Sequence, residues 1–156
     1  MTGGFSHLDD EGRAHMVDVG GKDVTDRVAV AEAVVAMQPS TADALFGGDL
    51  PKGDAVAVTR IAAIMAAKRT PELVPLCHPL DLTSIGVDIE RVSEGARIEV
   101  TCHTSGRTGV EMEAMTGAAV GALTLYDMVK GVDRGAEIGP IRLLHKSGGK
   151  SGEWNR

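Results

Sequence analysis

The stretch GRTGVEMEAMTGAAVGALTLYDMVKG, Gly106 to Gly131, constrains the fold more than any other part of the chain. It contains no proline and reads as one long helix. Ala114, Gly117, Ala118, Gly121 and Ala122 make much of its surface so small that a neighbouring element can approach the helix closely. The rest of the chain must supply that neighbour.

Two strands precede this helix. Ile85, Val87 and Ile89 alternate with Gly86, Asp88 and Glu90, and Ile98, Val100 and Cys102 alternate with Glu99, Thr101 and His103. Each has one apolar face, and the short SEG segment joins them. After the helix, Ile141, Leu143 and His145 alternate with Arg142, Leu144 and Lys146 as a last strand. Upstream, VTDRVAVAEAVVAM (Val24 to Met37) has the valines of a strand and the alanines of a helix; it is read as a strand. Met16 to Val19 is expected to form a short edge strand, and Pro39 to Gly47 a short helical turn. A second helix is expected from Asp54 to about Arg69: Ala57, Ile61, Ile64, Met65 and Lys68 follow helical spacing, Asp54 is placed to cap, and Pro71 marks the stop.

The order strand, helix, strand, strand, helix, strand is the split βαβ pattern of ferredoxin-like folds. It predicts an α+β protein with two long helices on one face of an antiparallel sheet. The 156 residues suit a single domain. Residues 1–14 and the glycine-rich 147–156 are expected to be flexible.

Apolar residues make up 43% of the chain, enough for a packed core. With 3% aromatics and a net charge of −6, base stacking and general nucleic-acid binding are disfavoured. Cys77 and Cys102, the two cysteines, form neither a disulfide framework nor a zinc-type CxxC pair. No apolar secretory core opens the chain, and Ala114 to Tyr126 is shorter than the about 20 residues a membrane helix needs. A reduced cytoplasmic setting is the expectation.

Four charged residues stand on the long helix. Thr108 and Glu111 have the spacing of a capping box, which gives Glu111 a structural role. Glu113 has no such explanation. Asp127 stands 14 residues beyond it, back within about 40° of the same face but about 21 Å along the axis. Lys130, three residues past Asp127, is within reach of it. A solvated stripe with one helix ion pair would explain this set. However, the neighbours Thr116, Gly117, Val120 and Thr124 are not those of a wet face. If both acids are functional, they serve separate parts of a long ligand, separate sites, or sites shared between subunits.

Other candidates lie off this helix. In PLCHP, Pro75 and Pro79 stiffen a corner that holds Cys77 and His78. There the histidine suits proton transfer or phosphate contact, or simply a bond to loop backbone. Cys77 has no histidine partner in sequence to make it a nucleophile. Lys52 stands at a helix start, where free N–H groups favour anions. KSGGKSG lacks the first glycine of a Walker loop, since Leu144 occupies that position, and no helix follows. Its backbone N–H groups can still fold over a phosphate with Lys146 or Lys150, or it is a soluble tail.

LCHPL, GVEMEAMT, LYDMVKG and IGPIRLLHKSGGKSG occur in that order, with KGD and RIAAIMAAKRTPELVPLCHPL beside them. Together they resemble the cyclic pyranopterin monophosphate synthase family of molybdenum cofactor biosynthesis, from about Val17 to Gly152. The resemblance implies a ferredoxin-like fold and a homohexamer, a trimer of dimers with active sites at dimer interfaces. The implied substrate is 3′,8-cyclo-7,8-dihydroguanosine 5′-triphosphate, and the products are cyclic pyranopterin monophosphate and diphosphate. Nucleic-acid and membrane partners are not implied. Nor is a resident cofactor or metal, although magnesium accompanying the triphosphate is compatible with it. By the same resemblance Asp127, Lys130 and Lys52 are catalytic. Leu76, Cys77, His78, Met112 and Glu113 bind substrate, and Lys146 with the glycine-rich tail lies on the phosphate side. Two positions depart from the pattern: Gln38 replaces an expected basic residue, and His145 an expected alanine.

The competing reading is a non-catalytic oligomeric nucleotide-binding or regulatory protein on the same fold, because fold alone does not decide chemistry. The combination of Asp127, Lys130, Lys52 and His78 separates the two. A pure binder has no need of Asp127 beside a triphosphate.

Overall fold

The structure, a computed structural model, describes residues 7–156. Its elements are β1 (Thr25–Ala36), α1 (Pro39–Gly47), α2 (Ala55–Lys68), α3 (Thr70–Leu73), β2 (Leu82–Val92), β3 (Gly95–Gly106), α4 (Glu111–Val129), β4 (Glu137–Ser147) and β5 (Trp154–Asn155). The strands form one antiparallel sheet in the order β2-β3-β1-β4-β5. The first four positions are the strand order of the expected split βαβ fold, with α2 and α4 as its two long helices.

Strand β1 settles its ambiguity through alternation. Ala29, Ala31, Ala33 and Val35 are fully buried, and pair in register with Cys102, Val100, Ile98 and Ala96 of β3. Three alanines in a central strand leave a shallow sheet surface, and the small residues of α4 settle onto it. A Cβ on Gly117 would lie 3.0 Å from a Val100 methyl and 3.2 Å from the Ala63 carbonyl of α2; one on Gly121 would lie 3.3 Å from the Ala63 Cβ. Thus the smallness of α4 records close packing against both the sheet and α2. A side chain forced in at Gly117 should cost about 1–3 kcal/mol, the usual penalty of overpacking.

Asp54 caps α2 as expected, its Oδ1 accepting from the Ala57 N–H at 2.9 Å. Pro71 does end that helix, but it also sits in the first turn of the short α3. The buried face of α2 is Ala55, Thr59, Ala63, Ala66 and Ala67. Val58, Ile61 and Met65 point outward, with Ile61 57% exposed.

Two expectations fail. Met16–Val19 forms no strand and runs instead as an irregular arm. Its Val17 carbonyl is taken by the His78 side chain, an anchor that leaves the backbone free of ladder pairing. The capping box is absent as well. The N-cap of α4 is Val110, without a side-chain cap bond, so Glu111 begins the helix instead of occupying its third position. Of the expected arm at 1–14, residues 1–6 lie outside the described residues; beyond them, Leu8 bridges Ala14. At the other end the glycine-rich segment turns back, and Trp154 and Asn155 pair with Lys146 and His145.

Candidate active site

The split βαβ topology brings three chain ends to one edge of the sheet: the start of β1, the end of β3 and the end of β4. Thr25 pairs with Gly106, and Val28 with Ser147. The N-terminus of α4 opens at the same edge. Around it lies a trough of two joined clefts, about 280 Å³ and about 990 Å³, which share Lys22, Thr108, Gly109 and Glu111 as walls.

The larger cleft is cationic. Lys22, Arg27, Arg107, Lys146 and Lys150 line it against Asp23 and Glu111. Each arginine is held by backbone: Arg27 Nε donates to the Gly106 carbonyl at 3.0 Å, and Arg107 donates to the Gly20 and Lys22 carbonyls. Lys146 Nζ donates to Glu111 Oε1 at 2.9 Å and to Ser151 Oγ at 2.7 Å. So Glu111, freed from capping, is the counter-ion of Lys146. Gly149 has φ +72°, and a Cβ there would run into the Arg27 guanidinium. The glycine-rich turn therefore lies directly on the cationic wall. The uncapped N–H groups at the start of α4 add to the same field.

The smaller cleft is lined by Leu76, Cys77, His78, Met112 and Glu113, all five expected substrate-binding residues of that group. Glu113 is only 3% exposed, and among the described residues no other side chain hydrogen-bonds its carboxylate. Burial first, and then the Glu111 charge, push its pKa up to about 7. His78 Nε2 lies 2.6 Å from the Val17 carbonyl. A carbonyl only accepts, so this bond fixes a proton on Nε2 and gives His78 the loop-backbone role weighed for it, within the cleft wall. The Cys77 thiol is pushed up by burial and by Glu113; the same two causes push Cys102 up to about 12. A thiol held protonated is a poor nucleophile, which agrees with the sequence reading.

The third cluster sits at the opposite end of α4, a helix of 19 residues and about 28 Å. Lys130 Nζ is 2.7 Å from Asp127 Oδ1, and Lys52 Nζ is 2.8 Å from Asp127 Oδ2. Lys52 also donates to the Asp127 main-chain carbonyl at 2.8 Å, so it answers the negative end of the helix as well. The hydrogen bonds from Lys130 and then Lys52 hold the Asp127 carboxyl down to about 2, and Asp127 in turn holds the Lys130 ammonium above its ordinary value. Lys52 arrives on the loop between α1 and α2, which the buried Leu50 pins to the core. Gln38 stands near this end: its N–H donates to Asp133 Oδ2 at 2.9 Å, beside Thr41 Oγ1 at 3.1 Å.

The structure thus brings the expected residues together as two groups, one at each end of α4. It adds Lys22, Arg27 and Arg107, which sequence reasoning passed over. Their signal was available: in a split βαβ order, charges at the start of the first strand and the end of the third fall on one edge. Among the described residues no helix is long and apolar enough to cross a membrane.

Known proteins resemble this chain along nearly all of its length. The MoaC family model matches residues 16–149. Proteins named cyclic pyranopterin monophosphate synthase from several bacteria are similar to this chain, among them the following three. That of Roseiflexus sp. is 56% identical over 152 residues, 96% of each chain. That of Pelotomaculum thermopropionicum is 54% identical over 155 residues, 98% of this chain and 91% of that protein. That of Brucella ovis is 54% identical over 156 residues, 99% of this chain and 94% of that protein. With a family model spanning most of its length and relatives this similar along nearly all of it, the chain belongs to the MoaC family.

Proposed function

We propose that this chain is a cyclic pyranopterin monophosphate synthase, a lyase of molybdenum cofactor biosynthesis. It converts 3′,8-cyclo-7,8-dihydroguanosine 5′-triphosphate to cyclic pyranopterin monophosphate and diphosphate. The observation that carries the reading is the joined trough, with five cations along one part and His78 and the buried Glu113 lining the other. The cationic part suits a triphosphate, and the buried part suits a neutral, hydrogen-bonding ring system.

Rebuilding a guanine ring system into a pterin requires repeated proton transfers, and a lysine held ready by a carboxylate can donate or accept them. Lys130 and Lys52 on Asp127 meet that description. Closing a cyclic phosphate while expelling diphosphate requires cations on the leaving group, the part given to Lys146 and the trough arginines.

Within one chain the Asp127 cluster and Glu113 are separated by about 21 Å along α4. A complete site therefore takes the trough from one subunit and the Asp127 cluster from another. This supports sites at subunit interfaces, as in the homohexamer, a trimer of dimers, that the family resemblance implies. The outward apolar row Val58, Ile61 and Met65 of α2, with Leu73 beyond it, also supports assembly. Incubation of the purified protein with the cyclic dihydro-GTP substrate should release cyclic pyranopterin monophosphate and diphosphate. A protein that binds the substrate and returns it unchanged would instead be the non-catalytic binder.

A further inference from the structure

The last residues of the chain do more than end it. After β4, the chain turns through Gly148, Gly149 and Gly152, all at positive φ, with Gly152 N–H donating to the Gly149 carbonyl at 3.2 Å. It then returns to β4 as β5. Three hydrogen bonds fasten this return to β4, and one cation–π contact stiffens the segment itself. Arg156 N–H donates to the Leu144 carbonyl at 2.9 Å, and Arg156 Nε to the Leu143 carbonyl at 2.8 Å. The Arg156 guanidinium lies over the Trp154 ring, 5.7 Å from its centre. His145 Nδ1 lies 2.8 Å from Asn155 Oδ1. Between the two fastened ends, the segment carries Lys150 and Ser151 to the rim of the cationic cleft, where Ser151 meets Lys146.

A glycine-rich segment tied at one end only would sample many conformations, and most would take Lys150 away from the cleft. Tied at both ends, it is a short closed loop of fixed reach. We propose that Trp154–Arg156 form a clasp on β4 that holds the loop Ser147–Gly152 over the trough for a polyphosphate ligand, with His145 as a positioning residue. His145 stands where the family resemblance leads one to expect alanine, so the bond to Asn155 is a fastening that an alanine would not make. The inference rests on the reading of the trough as a polyphosphate site.

Inorganic tripolyphosphate is the probe, titrated calorimetrically into the full-length protein, His145→Ala, His145→Asn and a variant ending at Glu153. Asparagine is the conservative control, because its amide can stand where Nδ1 does. The wild type should bind. His145→Ala and the shortened variant should bind about tenfold more weakly, the upper scale of one hydrogen bond. The substrate KM should rise with them, kcat should stay within about twofold because no group in contact with reacting atoms has changed, and His145→Asn should restore affinity. Trp154 is the one tryptophan of the chain, so iodide quenching of its fluorescence reports clasp opening in His145→Ala directly. Unchanged tripolyphosphate affinity and KM in the shortened variant, with wild-type binding intact, would overturn the clasp; β5 would then serve only to cover the β4 edge. A wild type that does not bind tripolyphosphate would instead overturn the trough reading itself, and the clasp with it.

Discussion

Lys52 and Asp127, 75 positions apart, meet at the end of α4 through two hydrogen bonds of 2.8 Å, one to the carboxylate and one to the main-chain carbonyl. Lys130 takes the other carboxylate oxygen. All three side chains remain about half exposed, with Asp127 at 53%. Such an exposed cluster contributes little to stability, because water and salt screen it. A lysine kept only for stability would be dispensable here.

Asp127→Ala, Lys130→Ala and Lys52→Ala should therefore each lower turnover at least about a hundredfold, the scale of losing a general acid or base. Thermal transitions should stay near that of the wild type. Lys130→Arg should be nearly as inactive, since arginine keeps the charge but does not release its proton at working pH. Near-normal turnover in Lys130→Arg would make Lys130 an electrostatic clamp.

The trough should follow its charges. Lys146→Ala and Arg27→Ala should weaken tripolyphosphate binding and reduce its dependence on salt, because each removes one cation from the site. Glu111→Gln should act in the opposite direction. It removes the carboxylate that competes with the ligand for Lys146, so affinity should rise a few-fold at low salt. Equal affinity in Glu111→Gln and the wild type would show that this ion pair does not gate the anion site.

Glu113 gives a pH signature. Its folded pKa is about 7 against an ordinary 4.5, so between those values the native state holds a proton that the unfolded chain releases. Stability from this group is intact below about 4.5, falls as pH rises, and levels off above about 7. Glu113→Gln has no proton to lose. Its stability relative to wild type should therefore widen from pH 5 to pH 9, reaching on the order of 3 kcal/mol. Chemical denaturation at the two pH values measures this; a difference that does not change with pH would contradict the burial account.

The elements legible in the sequence were those with a clear period. Alternation gave β2, β3 and β4, and the small residues of α4 announced a close neighbour, which in the structure is both the sheet and α2. The Asp127–Lys130 pair was legible because a helix fixes what i and i+3 can do. Periodicity did not show Lys52 joining them, which only the family resemblance implied, because the loop that carries it is placed by the burial of Leu50, a tertiary effect. The capping box misled for a similar reason: Thr108 and Glu111 have the right spacing, but the helix begins too late to use it, and Lys146 claims the carboxylate. Periodicity in α2 marked a helix without telling which face is covered. Alanines face α4 there, while Val58, Ile61 and Met65 look outward.

One active site is proposed to take the trough of one subunit and the Asp127 cluster of another. Mixed assemblies test it most directly. Asp127→Ala and Lys146→Ala proteins, each almost inactive alone, are co-expressed in equal amounts and assayed for cyclic pyranopterin monophosphate. In a two-fold dimer a mixed pair carries both defects in one site and none in the other, so random pairing should restore about a quarter of the wild-type rate. A mixture no more active than either variant alone, beside an active wild type, would contradict the shared site.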